Sequence, residues 1–221
     1  MYASEYGVYK PSDYEYSSYP NEMTLFILDF SNSMSEYLDG QSKADMMVAT
    51  VKSLLPKMNP NSLVGLRVYG HRMGFTPLEA CRASSLAVPV GKLDQNMINN
   101  ALDKTHPRGM TPITYSLKQA IKYDFMGFKG KKHIILLTDG GENCDESPCK
   151  YVMELIRIRK DVKIDVIAFN ISDEDDLDQL QCTSLVTGGK FYTANTAAEL
   201  AKSLENSSNS YKKVEAKIIT K

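Results

Sequence analysis

Five residues in three separate segments carry oxygen donors of the kind that hold a hard metal ion: Asp29, Ser31 and Ser33 in LFILDFSNSMS, Thr111 in THPRGMTP, and Asp139 in HIILLTDGGE. Two carboxylates and three hydroxyls, with neither Cys nor His in the set, suit Mg²⁺, Mn²⁺ or Ca²⁺ and disfavour zinc or copper. Two carboxylates neutralise a divalent ion. If they hold it through water, the ion stays electron-poor and takes an outside oxygen, ideally a carboxylate from a partner. The plainer reading of Ser31, Ser33 and Thr111 is that each is a helix N-cap, a common job for a hydroxyl.

The elements that must position these residues are legible in the hydrophobic pattern. Residues 23–29, 63–69, 133–138 and 162–169 are short runs rich in β-branched side chains, as in strands buried on both faces. Between them, Met47, Val51, Leu54, Leu55 and Met58 form one apolar helical stripe, and Ile113, Leu117, Ala120 and Ile121 form another. Further helices are expected near 93–104, 148–159, 173–180 and 197–205. Strands alternating with helices imply parallel crossover units. The expected fold is therefore α/β, a doubly wound, mostly parallel central sheet with helices on both faces and one antiparallel edge strand near 85–88. In such a sheet ligands sit outside the carboxyl ends of the strands, where Asp29 and Asp139 fall.

At 221 residues the chain fits one domain. Residues 1–20, with six tyrosines among Ser, Pro, Glu and Asp, read as an arm or linker; 21–206 read as the domain; 207–221 read as a C-terminal tail, opened by a polar Asn-Ser-rich linker from Asn206. A net charge of −1 gives no broad field toward nucleic acid or anionic lipid, so any charge-based function must be local. No apolar run is long enough to suggest a membrane span. Met1 is followed by Tyr, Ala, Ser and Glu, so no leader opens the chain.

Enzymatic readings lack their signatures. There is no G-x-x-x-x-G-K-[ST] phosphate loop, no G-x-G-x-x-G dinucleotide turn and no G-x-S-x-G elbow. Metal-assisted hydrolysis would want a general base that nothing obviously supplies. His71, His106 and His133 are scattered and read as structural, and the Asp173–Asp176 run reads as acidic residues opening a helix.

Taken as a set, Asp29-x-Ser31-x-Ser33, Thr111 and Asp139-Gly140 resemble the metal-ion-dependent adhesion site of the von Willebrand factor type A domain family in order, spacing and expected context. The resemblance implies that Ser31 and Ser33 bind metal directly, Thr111 directly or through water, and Asp29 and Asp139 mainly through water. VGLRVYGHR (64–72), GMTP (109–112), DGGENCDESPC (139–149) and GGKFY (188–192) further resemble a bacterial secreted or envelope-associated branch, whose usual D-G-E-E-T-C differs at Gly141 and Asn143. The implied function is divalent-cation-dependent binding of a protein partner that supplies a carboxylate, with Mg²⁺, Mn²⁺ or Ca²⁺ as cofactor, no catalysis and no nucleic-acid partner. A metal-stabilised scaffold of an envelope complex is the alternative. An apolar or carboxylate-receptive rim is expected in 73–80 and the Arg108 loop. The branch also implies export, with the leader absent, and two disulfides. Cys144 and Cys149, four residues apart, suggest one bridge, and Cys81 with Cys182 would make the other. Four reduced thiols is the competing reading, and the spacing is poor for zinc.

Overall fold

The computed structural model describes residues 21–208, so the Tyr-rich arm at 1–20 and the tail from 209 onward lie outside the described residues. Strand β1 (Glu22–Asp29) alternates its side chains between two cores: Phe26 and Leu28 enter one, Leu25 and Ile27 the other. A 3₁₀ turn (Asn32–Ser35) and a small hairpin of β2 (Tyr37–Leu38) and β3 (Gln41–Ser42) lead to helix α1 (Lys43–Leu54). The hairpin turns on Asp39 and Gly40, both at positive φ (50° and 85°), the backbone that an Asp-Gly pair favours in two-residue hairpins.

The chain continues through β4 (Leu63–Tyr69), the single turn α2 (Pro77–Ala80), β5 (Ser84–Lys92), α3 (Gln95–Asp103) and α4 (Ile113–Gln119), which ends in a wider π turn (Ala120–Asp124). Then come β6 (Lys131–Thr138), α5 (Pro148–Ile158), β7 (Val162–Phe169), α6 (Glu174–Val186), β8 (Phe191–Ala194) and α7 (Ala197–Ser208). The main sheet is ordered β5-β4-β1-β6-β7-β8, parallel except for β5 against β4. Helices α1, α3 and α7 cover one face through Met47, Val51, Ile98, Leu102, Leu200 and Leu204. Helices α4, α5 and α6 cover the other through Ile113, Leu117, Val152, Leu155 and Leu180. The doubly wound fold with one antiparallel edge is therefore as expected from the sequence.

Three local expectations are corrected. Met58 lies beyond α1 and is only half-buried, because Pro56 cannot donate a helical hydrogen bond and the chain tightens into a 3₁₀ turn (Leu55–Lys57). Strand β8 was not anticipated as a strand. The polar run after Glu205, expected as linker, continues α7 to Ser208: the buried Ser207 hydroxyl donates to Asp165 Oδ2 at 2.7 Å and ties the last turn to the sheet.

The chain leaves β1 toward β4 and β5, then returns to pair β6 on the other side of β1. That reversal makes the crevice between the carboxyl ends of β1 and β6 the switch point where such sheets bind ligands.

Candidate metal centre

Asp29 is the last residue of β1, and Asp139 follows the last residue of β6, its parallel neighbour. Both are buried. Asp29 Oδ1 accepts the Ser31 N–H at 2.6 Å and Oδ2 accepts the Thr138 hydroxyl at 2.8 Å, which fixes the turn that carries the two serines. Ser33 donates its hydroxyl to Asp139 Oδ1 at 2.7 Å, and its Oγ lies 3.1 Å from Ser31 Oγ. Neither serine nor Thr111 works as a cap: Ser31 precedes the 3₁₀ turn without a side-chain cap bond, and the cap position of α4 is Pro112.

Thr111 is brought in by backbone contacts. Gly109 forms an isolated parallel bridge with Ser31 and accepts the Asn32 N–H at 2.9 Å. A Cβ on Gly109 would stand 2.4 Å from the Arg72 carbonyl oxygen, so only glycine allows the approach. The Thr111 N–H donates to Asn143 Oδ1 at 2.7 Å, and the Thr114 N–H donates to Glu142 Oε2 at 2.7 Å. The loop after Asp139 thus clamps the Thr111 segment. The two departures from the expected branch pattern have physical reasons here. Asn143 is the acceptor for Thr111. Gly141 passes so close to α6 that a Cβ would lie 1.9 Å from Asp176 Oδ1, and its N–H donates to Asp176 Oδ2 at 2.9 Å. Asp173 caps α6 by accepting the Asp176 N–H at 3.0 Å, so the acidic run opens the helix as expected and also receives this loop.

The sequence reading missed two residues at the site. Lys43, the first residue of α1, reaches in to place Nζ 3.0 Å from Asp139 Oδ2 and 2.8 Å from Glu36 Oε2. Its side chain is 7% exposed and that of Asp139 is 0% exposed, so this is a buried pair. Burial alone would lower the Lys43 ammonium, but Glu36 and Asp139 outweigh it and hold it above its usual value. A signal was available: a lysine at a helix N-terminus opposes the helix dipole and calls for another reason to be there. The second is Tyr69, which ends β4 opposite Asp29 and is fully buried beside Asp29 and Thr138; burial and the Asp29 charge push its hydroxyl well up. Burial, then the charge of Asp139, push the Asp29 carboxyl up to about 6. Two carboxylates thus face one small space with one ammonium between Asp139 and Glu36.

The donor set fits a small divalent ion. Metal–oxygen bonds of about 2.1 Å in an octahedron put adjacent oxygens about 3.0 Å apart. Ser31 Oγ and Ser33 Oγ, at 3.1 Å, have that spacing. Among the described residues no three of His, Cys, Asp and Glu cluster to hold a metal.

All four cysteines are paired, but not as expected. The bridges are Cys81–Cys144 and Cys149–Cys182. Cys149 lies in the first turn of α5, which packs on α6 and so faces Cys182; Cys144 lies in the preceding loop and meets the end of α2. The first bridge staples the loop carrying Met73, Phe75 and Leu78, all exposed, to the loop after Asp139. Arg72 and Arg108 are exposed as well.

With fold and geometry in place, the chain is assigned to a family: it belongs to the von Willebrand factor type A domain family, whose model matches residues 25–206. It is 26% identical over 190 residues to the uncharacterised protein YwmD of Bacillus subtilis (strain 168), covering 84% of each chain. It is 29% identical over 181 residues to YwmC of the same organism, covering 80% of this chain and 78% of that one. Among solved structures it superposes on a von Willebrand factor type A protein from Catenulispora acidiphila with a TM-score of 0.66 at 18% identity, covering 86% of this chain and 42% of that one. Proximal thread matrix protein 1 of the mussel byssus gives 0.64 at 21%, over 85% of this chain and 44% of that one. The von Willebrand factor domain of the type V pilus tip protein Mfa5 from Porphyromonas gingivalis gives 0.62 at 15%, covering 87% and 95%. This chain thus spans less than half of the first two of these solved chains.

Proposed function

We propose that this domain is a protein-binding module whose partner supplies a carboxylate to a divalent cation, Mg²⁺, Mn²⁺ or Ca²⁺. The observation that carries the reading is the convergence of Asp29, Ser31, Ser33 and Asp139 on one space at the β1/β6 switch point, with the two serine oxygens 3.1 Å apart as adjacent ligands would be. Ser31, Ser33 and Thr111 would hold the ion directly, and Asp29 and Asp139 mainly through water. Such an ion supplies a Lewis-acidic position that an anionic oxygen from outside fills. Asp29 orients the serine turn, Asn143 and Glu142 orient the threonine loop, and Lys43 holds Asp139. The rim around Phe75 and Arg108 would contact the remainder of the partner. Ca²⁺, with six to eight oxygens at about 2.3–2.6 Å, also brings adjacent ligands to about 3 Å, so the serine spacing admits it as well. A form of the mussel matrix protein has zinc at its corresponding motif, so zinc belongs among the ions tested.

Two disulfides, and resemblance to pilus and matrix proteins in fold, support an exported location. A metal-free scaffold is the second reading, favoured by the Lys43–Asp139 pair and the disulfides, which hold the loops without an ion.

Calorimetric titration of chelator-stripped protein with Mg²⁺, Mn²⁺, Ca²⁺ and Zn²⁺, beside Ser33→Ala and Asp29→Asn, tests the proposal. One-site binding lost in both variants supports it. No binding by the wild-type chain overturns it in favour of the scaffold. Asp29→Ala is the poorer choice because it strips hydrogen bonds from Ser31 and Thr138 inside a buried turn.

A further inference from the structure

The end of the sheet opposite the metal centre concentrates positive charge. Parallel strands of about eight residues put the two ends about 25 Å apart. At the amino-terminal ends of β6 and β7, one hollow is lined by Lys131, Lys132, Lys160 and Lys163. An adjoining one, beneath the π turn, is lined by Lys122, Lys129, Lys132 and Arg159. The sole carboxylate lining either hollow is Asp161, already engaged by Lys132 and by Arg159 at 2.9 and 3.0 Å. A chain of net charge −1 has therefore gathered exposed Lys122, Lys129, Lys131 and Lys160 around Lys132 and Arg159, which are paired with Asp161, and Lys163, which is paired with Asp165.

Complementing helix dipoles explains part of this, since Arg157 lies in the last turn of α5 and Arg159 and Lys160 follow it directly. It does not explain the apolar side chains set among the cations. Met126, on the lip of the second hollow, is 77% exposed, and Ile158, next to Arg159, is 81% exposed. Tyr123 is half-exposed with Lys122 Nζ 5.0 Å from its ring centroid. A soluble polyanion has use for the lysines but not for Met126 and Ile158; an anionic bilayer takes both, phosphates against the ammonium groups and apolar tips below them.

We propose that this basic pole docks on an anionic phospholipid surface, holding the domain with its metal centre facing away from the membrane. No helix among the described residues is long and apolar enough to cross a membrane, and docking needs none. The site is independent of the metal reading.

The test is co-sedimentation of the 221-residue chain with vesicles of pure phosphatidylcholine or of phosphatidylcholine with 30% phosphatidylglycerol, at low and high salt, with inorganic polyphosphate as soluble competitor. The variants are Lys122→Gln/Lys129→Gln/Lys160→Gln, all exposed positions, and Met126→Ser/Ile158→Ser. Each cation near an anionic surface strengthens binding about fivefold, so the triple variant should bind about 100-fold more weakly. The expected result is binding to the anionic vesicles only, lost in high salt, weakened by both variants. Equal binding to both vesicle types, no binding, or an unchanged triple variant overturns the proposal. So does polyphosphate binding that needs the lysines while Met126→Ser/Ile158→Ser leaves vesicle binding intact, since the pole would then serve a soluble polyanion.

Discussion

Buried carboxylates occur at both levels of this sheet, and they are treated in opposite ways. Asp165, in the middle of β7, is saturated by its own chain: Ser207 donates at 2.7 Å, the Lys190 N–H at 2.9 Å, and His133 Nε2 and Lys163 Nζ lie 3.0 and 3.1 Å away. Burial would raise its carboxyl, but His133, Ser207 and the Lys190 N–H overcome that and hold it below the usual range. At the carboxyl ends of β1 and β6, Asp29 and Asp139 face each other across serine hydroxyls, and the Asp29 carboxyl is raised to about 6. Donors that exhaust a carboxylate's lone pairs make it a structural tie. Carboxylates set beside each other, with hydroxyls between, keep capacity for something from outside.

Replacing one carboxylate at each level is the largest break in this comparison. Asp165→Ala should cost about 3–5 kcal/mol of stability, because it takes a carboxylate away from buried His133 and half-buried Lys163 and unties α7, yet it should leave metal affinity unchanged. Asp29→Asn should do the reverse, keeping the melting temperature in chelator close to wild type while removing metal binding. Chemical denaturation and Mn²⁺ titration of both proteins check the pair. Equal losses of stability would erase the distinction drawn between the two levels.

Lys43→Met sharpens it further. In chelator, loss of the ammonium leaves the Asp139 charge buried, at a cost of about 2 kcal/mol. In Mn²⁺ titrations the same variant should bind the ion about tenfold more tightly, since one competing positive charge has gone. A variant destabilised equally with and without Mn²⁺ would mean that Lys43 only braces α1.

The pH dependence of stability follows from the histidines. Burial lowers the His133 imidazole, and burial followed by the Arg72 charge lowers that of His71 to about 4. As pH falls through about 6.5, the unfolded chain takes protons that these imidazoles refuse, which lowers stability toward pH 4, while the raised Asp29 carboxyl takes up its proton in the folded chain from about pH 6 and offsets part of that loss. Below about pH 4 the depressed Asp165 adds a second loss of the same sign. Melting curves at pH 7.5, 6 and 5 check this, and His71→Asn should flatten the profile.

How much of this was legible depended on whether the signal lay along the chain or across it. The central strands could be read from their apolar runs, and the five oxygen-bearing residues stood out as candidates because Asp29 and Asp139 end two of those runs, the serines follow Asp29, and Thr111 stands just ahead of an apolar helical stripe. β8 could not, since Phe191–Ala194 has four residues and acquires strand character only by pairing with β7. The disulfide partners depended on α5 packing against α6, which no spacing of cysteines encodes. Net charge concealed the basic pole because averaging over the chain discards position. Lys43 and the Asp39-Gly40 hairpin that delivers it were readable from turn and dipole rules, and were overlooked because neither looks like a ligand.

The finest distinction concerns the loop after Asp139, where one side chain contributes to the site through a backbone group. Asn143→Ala removes the acceptor for the Thr111 N–H, at a cost of about 1 kcal/mol, without touching any proposed ligand atom. If Thr111 holds the ion through its hydroxyl, loosening its backbone should weaken Mn²⁺ a few-fold. Asn143→Asp, which keeps an acceptor and adds a charge, should restore or exceed wild-type affinity. A merely structural loop would show the stability loss in both variants with no change in affinity, and the role of Asn143 as a positioning residue would then be withdrawn.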